Sequence, residues 1–186
     1  MVPLTSLWLP IVVSAVVAFL ASSVIHMMLT YHRSDFAGLP GEDNVMEAMR
    51  KAGVQPGDYF FPHCKTQKEL GNPETVKRFE RGPVGILSVL PSGPPAMGKN
   101  LAQWFVFLLV IEVFVAYAAG RTLVEGAMYM PVFRVTGTVA FLAFVGAQPI
   151  QSIWRGVKWS TTVKAGFDGL IYALLSAGVF GWLWPR

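Results

Sequence analysis

The sequence predicts an all-α membrane protein, with four transmembrane helices and a small cytoplasmic insert between helices one and two. Three observations lead there. Four apolar stretches, at 7–30, 101–120, 131–148 and 163–184, each run about 18–24 residues, enough at about 1.5 Å per residue to cross a hydrocarbon core of about 30 Å. Lipid offers no hydrogen bonds to bare backbone, so such segments are helical. Composition agrees: 53% of the 186 residues are hydrophobic and 14% are charged, whereas soluble domains carry about 25% charged residues. A chain of this length can hardly build a water-soluble core that buries four all-apolar helices.

Residues 1–9 contain no Lys or Arg, so the first stretch lacks the basic n-region of a signal peptide and reads as a retained span. The expected organisation is then transmembrane helix 1 over 1–31, a cytoplasmic insert over 32–99, and transmembrane helices 2–4 over 100–186. Most basic residues fall on one side of such a topology. Arg33, Lys99, Arg155, Lys158 and Lys164 flank the spans there, and only Arg121, Arg134 and Arg186 lie on the other side. The positive-inside bias therefore predicts an inner-membrane protein with both termini outside. The six tryptophans, Trp8, Trp104, Trp154, Trp159, Trp182 and Trp184, fall near span ends, where they read as interfacial anchors.

Two helices are expected within the insert. Asn44 and Glu47 have capping-box spacing ahead of Val45, Ala48, Met49 and Ala52, and Gly53 ends that run. Asn72 as N-cap, Pro73 at the first position and Glu74 open the second, which closes with Lys77, Arg78 and Arg81 before Gly82. Tyr59-Phe60-Phe61-Pro62 reads as a short extended run. The apolar 82–90 segment is too short to span and reads as buried extended chain or an interfacial dip.

Glu112 is the sharpest chemical feature, because a carboxylate in mid-span is costly unless paired or hydrated. Arg134, one turn inside the next span, is the expected partner: the intramembrane pair Glu112–Arg134 fixes a helical hairpin or serves a proton or ion path, the alternative being a Glu112 held protonated by desolvation. In the first span Ser14, Ala18, Ser22 and His26 repeat every fourth residue. His26 is the one candidate cofactor contact, to a haem, chlorin or quinone. His26 and His32 are six positions apart, which on a continuous helix puts them on different faces and predicts no shared metal site. His63, Cys64 and Asp58 lack zinc-site spacing.

The last span carries two parallel lines. Gly169, Ala173, Ala177 and Gly181 form a small-residue face for close helix packing, inside the protein or against a partner. Asp168, Tyr172 and Ser176 form a polar line beside it, suited to a lipid or quinone head group or to interhelical contacts. Asp168 is expected near the positive end of its helix, one turn after Lys164. The segments Trp159-Ser160-Thr161-Thr162, 167–172 and 181–186 resemble uncharacterised bacterial four-span inner-membrane proteins, a likeness that implies no activity and carries over no site residue.

No nucleophile elbow, phosphate-binding loop, HExxH or acidic catalytic cluster is present in the sequence. The single cysteine, Cys64, permits no internal disulfide. The basic residues lie in connections rather than on one face, which does not suit nucleic acid. The expected role is a non-enzymatic accessory or scaffolding subunit of a larger membrane complex. Its partners would be the bilayer and other membrane subunits or itself, with no metal or cofactor. The alternative is a small proton- or ion-coupled transporter or channel built around Glu112 and Arg134.

Overall fold

The computed structural model describes residues 1–186 and divides into two units, Met1–Asp35 with Ala96–Arg186, and Phe36–Pro95. The first unit is a four-helix bundle. After a 3-10 turn at Leu4–Leu7 come α1 (Trp8–Met28) and a second 3-10 turn at Tyr31–Ser34. The insert contains α2 (Glu42–Lys51), β1 (Gly57–Phe61), α3 (Gln67–Leu70), α4 (Pro73–Arg81) and β2 (Gly85–Val89). The bundle then resumes with α5 (Met97–Thr122), α6 (Tyr129–Val145), α7 (Gln148–Arg155) and α8 (Trp159–Leu183). Four helical runs, Leu4–Met28, Met97–Thr122, Tyr129–Arg155 and Trp159–Leu183, are long and apolar enough to cross a membrane.

Prolines mark the helix starts. Pro10 and Pro131 sit in the first turns of α1 and α6, where the missing N–H has no intrahelical role. Pro149 does more. Its ring cannot follow four residues of unbroken helix, so the third span, expected to run through 148, breaks after Val145, and a short helix α7 starts beyond Ala147.

In the bundle α1 packs on α5, α5 on α6, α6 on α8 and α8 back on α1. The inward stripe of α1 is Ile11, Ala15, Ala18, Ser22 and Ile25, with spacings alternating between four and three as antiparallel bundles require. Helix α6 turns Val132, Thr136, Ala140 and Phe144 inward. Outward faces are apolar, as at Leu20, Phe114, Leu142 and Val163, while Ser14, Glu112, Thr136 and Ser176 are buried.

The small-residue face of α8 meets the chain's own α6. A Cβ on Gly169 would come within 2.9 Å of Val145 and 3.1 Å of the Phe144 carbonyl, and one on Gly181 within 2.6 Å of the Tyr129 ring. Ala177 lies against Gly137, whose own Cβ would be 3.1 Å from it. The first end of the bundle is tied by backbone: Val2 N–H donates to Gly120 at 2.8 Å and Gly126 N–H to Pro185 at 2.9 Å.

In the insert, β1 and β2 form an antiparallel pair running from Gly57 opposite Val89 to Phe61 opposite Gly85. The segment expected to be buried extended chain is thus the second strand of a hairpin, with its residues half-buried or exposed. The second insert helix starts as the sequence indicates, with Asn72 Oδ1 accepting from Glu74 N–H at 3.0 Å. The first does not. Gly41, in the left-handed conformation, precedes a helix that begins at Glu42, so Asn44 lies inside it and Glu47 pairs with Arg50 at 3.0 Å instead of closing a capping box.

The α6–α8 contact generates a matched pair of variants. Gly169→Ala forces a methyl into backbone and should lower the stability of the purified chain in detergent by about 1–3 kcal/mol. Gly166→Ala, whose Cβ would stand 3.7 Å from Val145, should be neutral or stabilising by up to about 1 kcal/mol. Thermal unfolding of the two variants beside the parent checks both.

Candidate functional site

The polar line of α8 organises two sites at different depths. The deeper one is Glu112, wholly buried, whose Oε1 accepts a hydrogen bond from Ser176 at 2.5 Å. The expected Glu112–Arg134 pair is not formed. Residues 132, 136 and 140 take the inward face of α6, and Arg134, about 200° round the helix from Val132, is turned out to an exposed position beside Phe141 and Leu174. The Glu112 Oε2 and Ser14 Oγ atoms are buried without a hydrogen-bond partner.

The second site lies where α1 ends and α8 begins. Helix α1 stops at Met28 because Leu29 is extended, and the turn Tyr31–Ser34 that follows bonds to the side of α8. Asp168, 3% exposed, is the tenth residue of α8, too far along for the helix N-terminus to serve it. Side chains serve it instead. The Tyr31 hydroxyl donates to its Oδ1, and His32 Nε2 lies 2.8 Å from its Oδ2.

The other ring nitrogen of His32 faces Asp35 Oδ2 at 2.6 Å, and Asp35 Oδ1 accepts from Lys164 at 2.7 Å. The Lys164 ammonium also donates to the Tyr31 carbonyl and to Ser34 Oγ, both at 2.7 Å, so all three of its protons are used. Lys164 therefore reaches the turn after α1 and not Asp168, its expected neighbour one helical turn away. Burial, then the hydrogen bond and charge of Asp168, push the Tyr31 phenol up to about 12, so it stays a proton donor. For Asp35 burial acts upward, but the hydrogen bonds from Lys164 and His32 hold its carboxyl below the ordinary value.

His26 completes the group. Its ring centroid is 4.6 Å from that of His32, contrary to the expectation that the two point apart, because the turn after Met28 takes His32 off the helix that carries His26. Nitrogens of His26 and His32 and an oxygen of Asp168 all lie within 4.8 Å of one another. These residues border a cavity of about 290 Å³ that also reaches Trp104, Gln148 and Tyr172. Trp104 is more than an anchor: its indole donates to Ser22 Oγ at 2.9 Å and its ring meets Tyr172 edge-on. The Tyr172 hydroxyl is buried without a partner. An apolar groove of about 420 Å³, with Met27, Met97 and Leu101 in its walls, shares His26 and Trp104 with this cavity.

Of the residues singled out in sequence, Asp168, Tyr172 and His26 meet at this site, Ser176 and Glu112 meet at the deeper one, and Gly169, Ala173, Ala177 and Gly181 lie on the α8 face toward α6. Tyr31, Asp35 and Lys164 were not legible as site residues, although Lys164 and Asp168 at i, i+4 near the predicted cytoplasmic face were a usable signal. Comparison with protein-family models, curated proteins and solved structures finds no match.

The geometry at Glu112 separates two variants. Arg134→Ala should change stability by no more than about 0.5 kcal/mol, as at other exposed positions. Ser176→Ala, which leaves a buried carboxyl oxygen without its donor, should cost about 1–3 kcal/mol. Chemical or thermal unfolding in one detergent distinguishes them, and a large loss in Arg134→Ala would restore the ion pair.

Proposed function

We propose that this chain is a multi-pass protein of a bacterial inner membrane, with both termini outside and the 32–99 insert in the cytoplasm, and that it acts as a non-enzymatic accessory or scaffolding subunit. The orientation rests on the basic residues that flank the spans at the insert side. The role rests on one observation, the surface of the insert. Within Phe36–Pro95 only Pro62 is buried, and large apolar side chains stay exposed, among them Phe36 (90%), Leu90 (78%), Val84 and Ile86.

Apolar surface of this kind, on a unit with so little interior, is the property of a piece that is covered by something else. A two-stranded hairpin is marginal in water by itself, and helices of nine and ten residues are too. The insert gains its stability by docking, which suits a subunit held against a larger membrane assembly. The transporter alternative loses the pair it was built on, since Glu112 bonds to Ser176 and Arg134 faces outward.

Two measurements test these assignments. Cys64, partly exposed in the insert, should resist a membrane-impermeant maleimide in sealed cells and react after permeabilisation, and rapid labelling of intact cells would invert the topology. At native expression the chain should migrate in gentle detergent within an assembly heavier than itself. Phe36→Ser with Ile86→Ser should release it as a free chain without lowering the unfolding temperature of the bundle. A parent chain that migrates as a free monomer would remove the accessory role.

A further inference from the structure

The polar group at the end of α1 contains more than a clasp between α1 and α8 needs. Tyr31, Asp35 and Lys164 satisfy one another and hold Asp168 and His32 in place. His26 has no hydrogen bond, yet its ring is set beside His32 and its donor nitrogen falls within 4.8 Å of both other donors. His32 adds a second anomaly. Both of its nitrogens face carboxylate oxygens, and a neutral imidazole has one N–H, so a second positive charge belongs there, supplied by a second ring proton or by a cation that takes that proton's place. The formal charges agree, because Lys164 balances only one of Asp35 and Asp168. The Tyr172 hydroxyl supplies a third: it borders the same cavity, buried and unpartnered.

We propose that His26, His32 and Asp168 bind a divalent first-row transition-metal ion, with a further coordination position open to the cavity beside Tyr172 and Gln148. Two imidazoles and one carboxylate are a donor set for zinc, cobalt or ferrous iron, and differ from the all-oxygen sets of magnesium and calcium. His32 and Asp168 need little adjustment. Donors about 2.0–2.1 Å from a tetrahedral ion are about 3.4 Å apart, so the present 2.8 Å contact opens by roughly half an ångström.

Asp35 on the far nitrogen of His32 is the outer carboxylate that orients a metal-binding imidazole, and Lys164 fixes Asp35 in turn. Tyr31 occupies Oδ1 of Asp168 and leaves Oδ2 for the ion. A water or small ligand at the open position would find the Tyr172 hydroxyl as a partner. The metal site is independent of the accessory role, since every residue in it belongs to the bundle and none to the exposed surface of the insert.

The test uses the full chain in detergent, carrying a purification tag without histidine, stripped with chelator and titrated with Co²⁺. One Co²⁺ per chain is expected, with visible d–d absorption, displaced by Zn²⁺ and retained in millimolar Mg²⁺. His26→Ala and the bulkier His26→Gln remove a ligand that holds no hydrogen bond in the fold. Both should keep the unfolding temperature of the stripped protein and weaken Co²⁺ binding at least 10–100-fold, and Asp35→Asn should weaken it in the same range. His63→Ala should leave binding unchanged. Absence of stoichiometric binding, or binding that survives both His26→Ala and His32→Ala, would overturn the proposal.

Discussion

Helices in lipid gain nothing from burying apolar surface against one another, so their mutual rotation is set by close packing and polar contacts. In this bundle the close approach of α6 to α8 sets it. With Gly169, Ala173, Ala177 and Gly181 along one line, the Phe144 carbonyl and the Tyr129 ring come to distances at which almost any added atom clashes. That contact leaves α8 one rotational position. The neighbouring line, about 100° back round the helix, then has to face α1 and α5. Asp168, Tyr172 and Ser176, about 6 Å apart in depth, are delivered to Tyr31 and His32, to Trp104 and to Glu112 in turn. The polar sites follow from the small residues beside them.

Where α1 stops matters equally. Had it continued for one more turn, His32 would lie on the helix surface away from His26, and Tyr31 could not cross to Asp168. The extended Leu29 and the following 3-10 turn take the chain off the helix inside six residues, and Lys164 holds that turn by its bonds to the Tyr31 carbonyl, Ser34 and Asp35. Lys164 is a single side chain that closes a loop from another helix, and its ammonium is only partly exposed. The site is therefore built from a helix end, a turn and a distant helix, none of which contains it alone.

The four long apolar helices were legible because hydrophobic length needs no knowledge of neighbours, and the small and polar lines of the last of them were legible because a spacing of four residues is local. Asn72, Pro73 and Gly82 marked the second insert helix for the same reason. What failed was whatever depended on a chain reversal or on which side of a helix faces inward. Depth in the membrane suggests the Glu112–Arg134 pair, but depth does not fix rotation: Val132 and Thr136 claim the inner face of α6. One helix through both would separate His26 from His32, but the helix ends at Met28. Asn44 loses its capping role to Gly41, whose left-handed backbone starts the helix three residues earlier. The strand pairing of 57–61 with 85–89 is a long-range contact that no local pattern announces.

The two ends of the bundle are closed by different chemistry. At the end that holds the termini, backbone groups do the joining, from Val2 to Gly120 and from Gly126 to Pro185, with the Trp184 indole bonded to the Val124 carbonyl. Backbone contacts of this kind tolerate many side chains and offer little to a ligand. At the opposite end the contacts between α1, its following turn and α8 run largely through ionisable side chains, and an apolar groove opens beside them at His26 and Trp104. Side-chain closure costs more desolvation than backbone closure and is weaker as a fastening, because charged groups drawn from water must find partners in a fixed geometry. A fold that needed only to be held shut could have used the first solution twice. That it places two imidazoles, two carboxylates and an ammonium at one end is the strongest physical reason for locating the proposed metal site there.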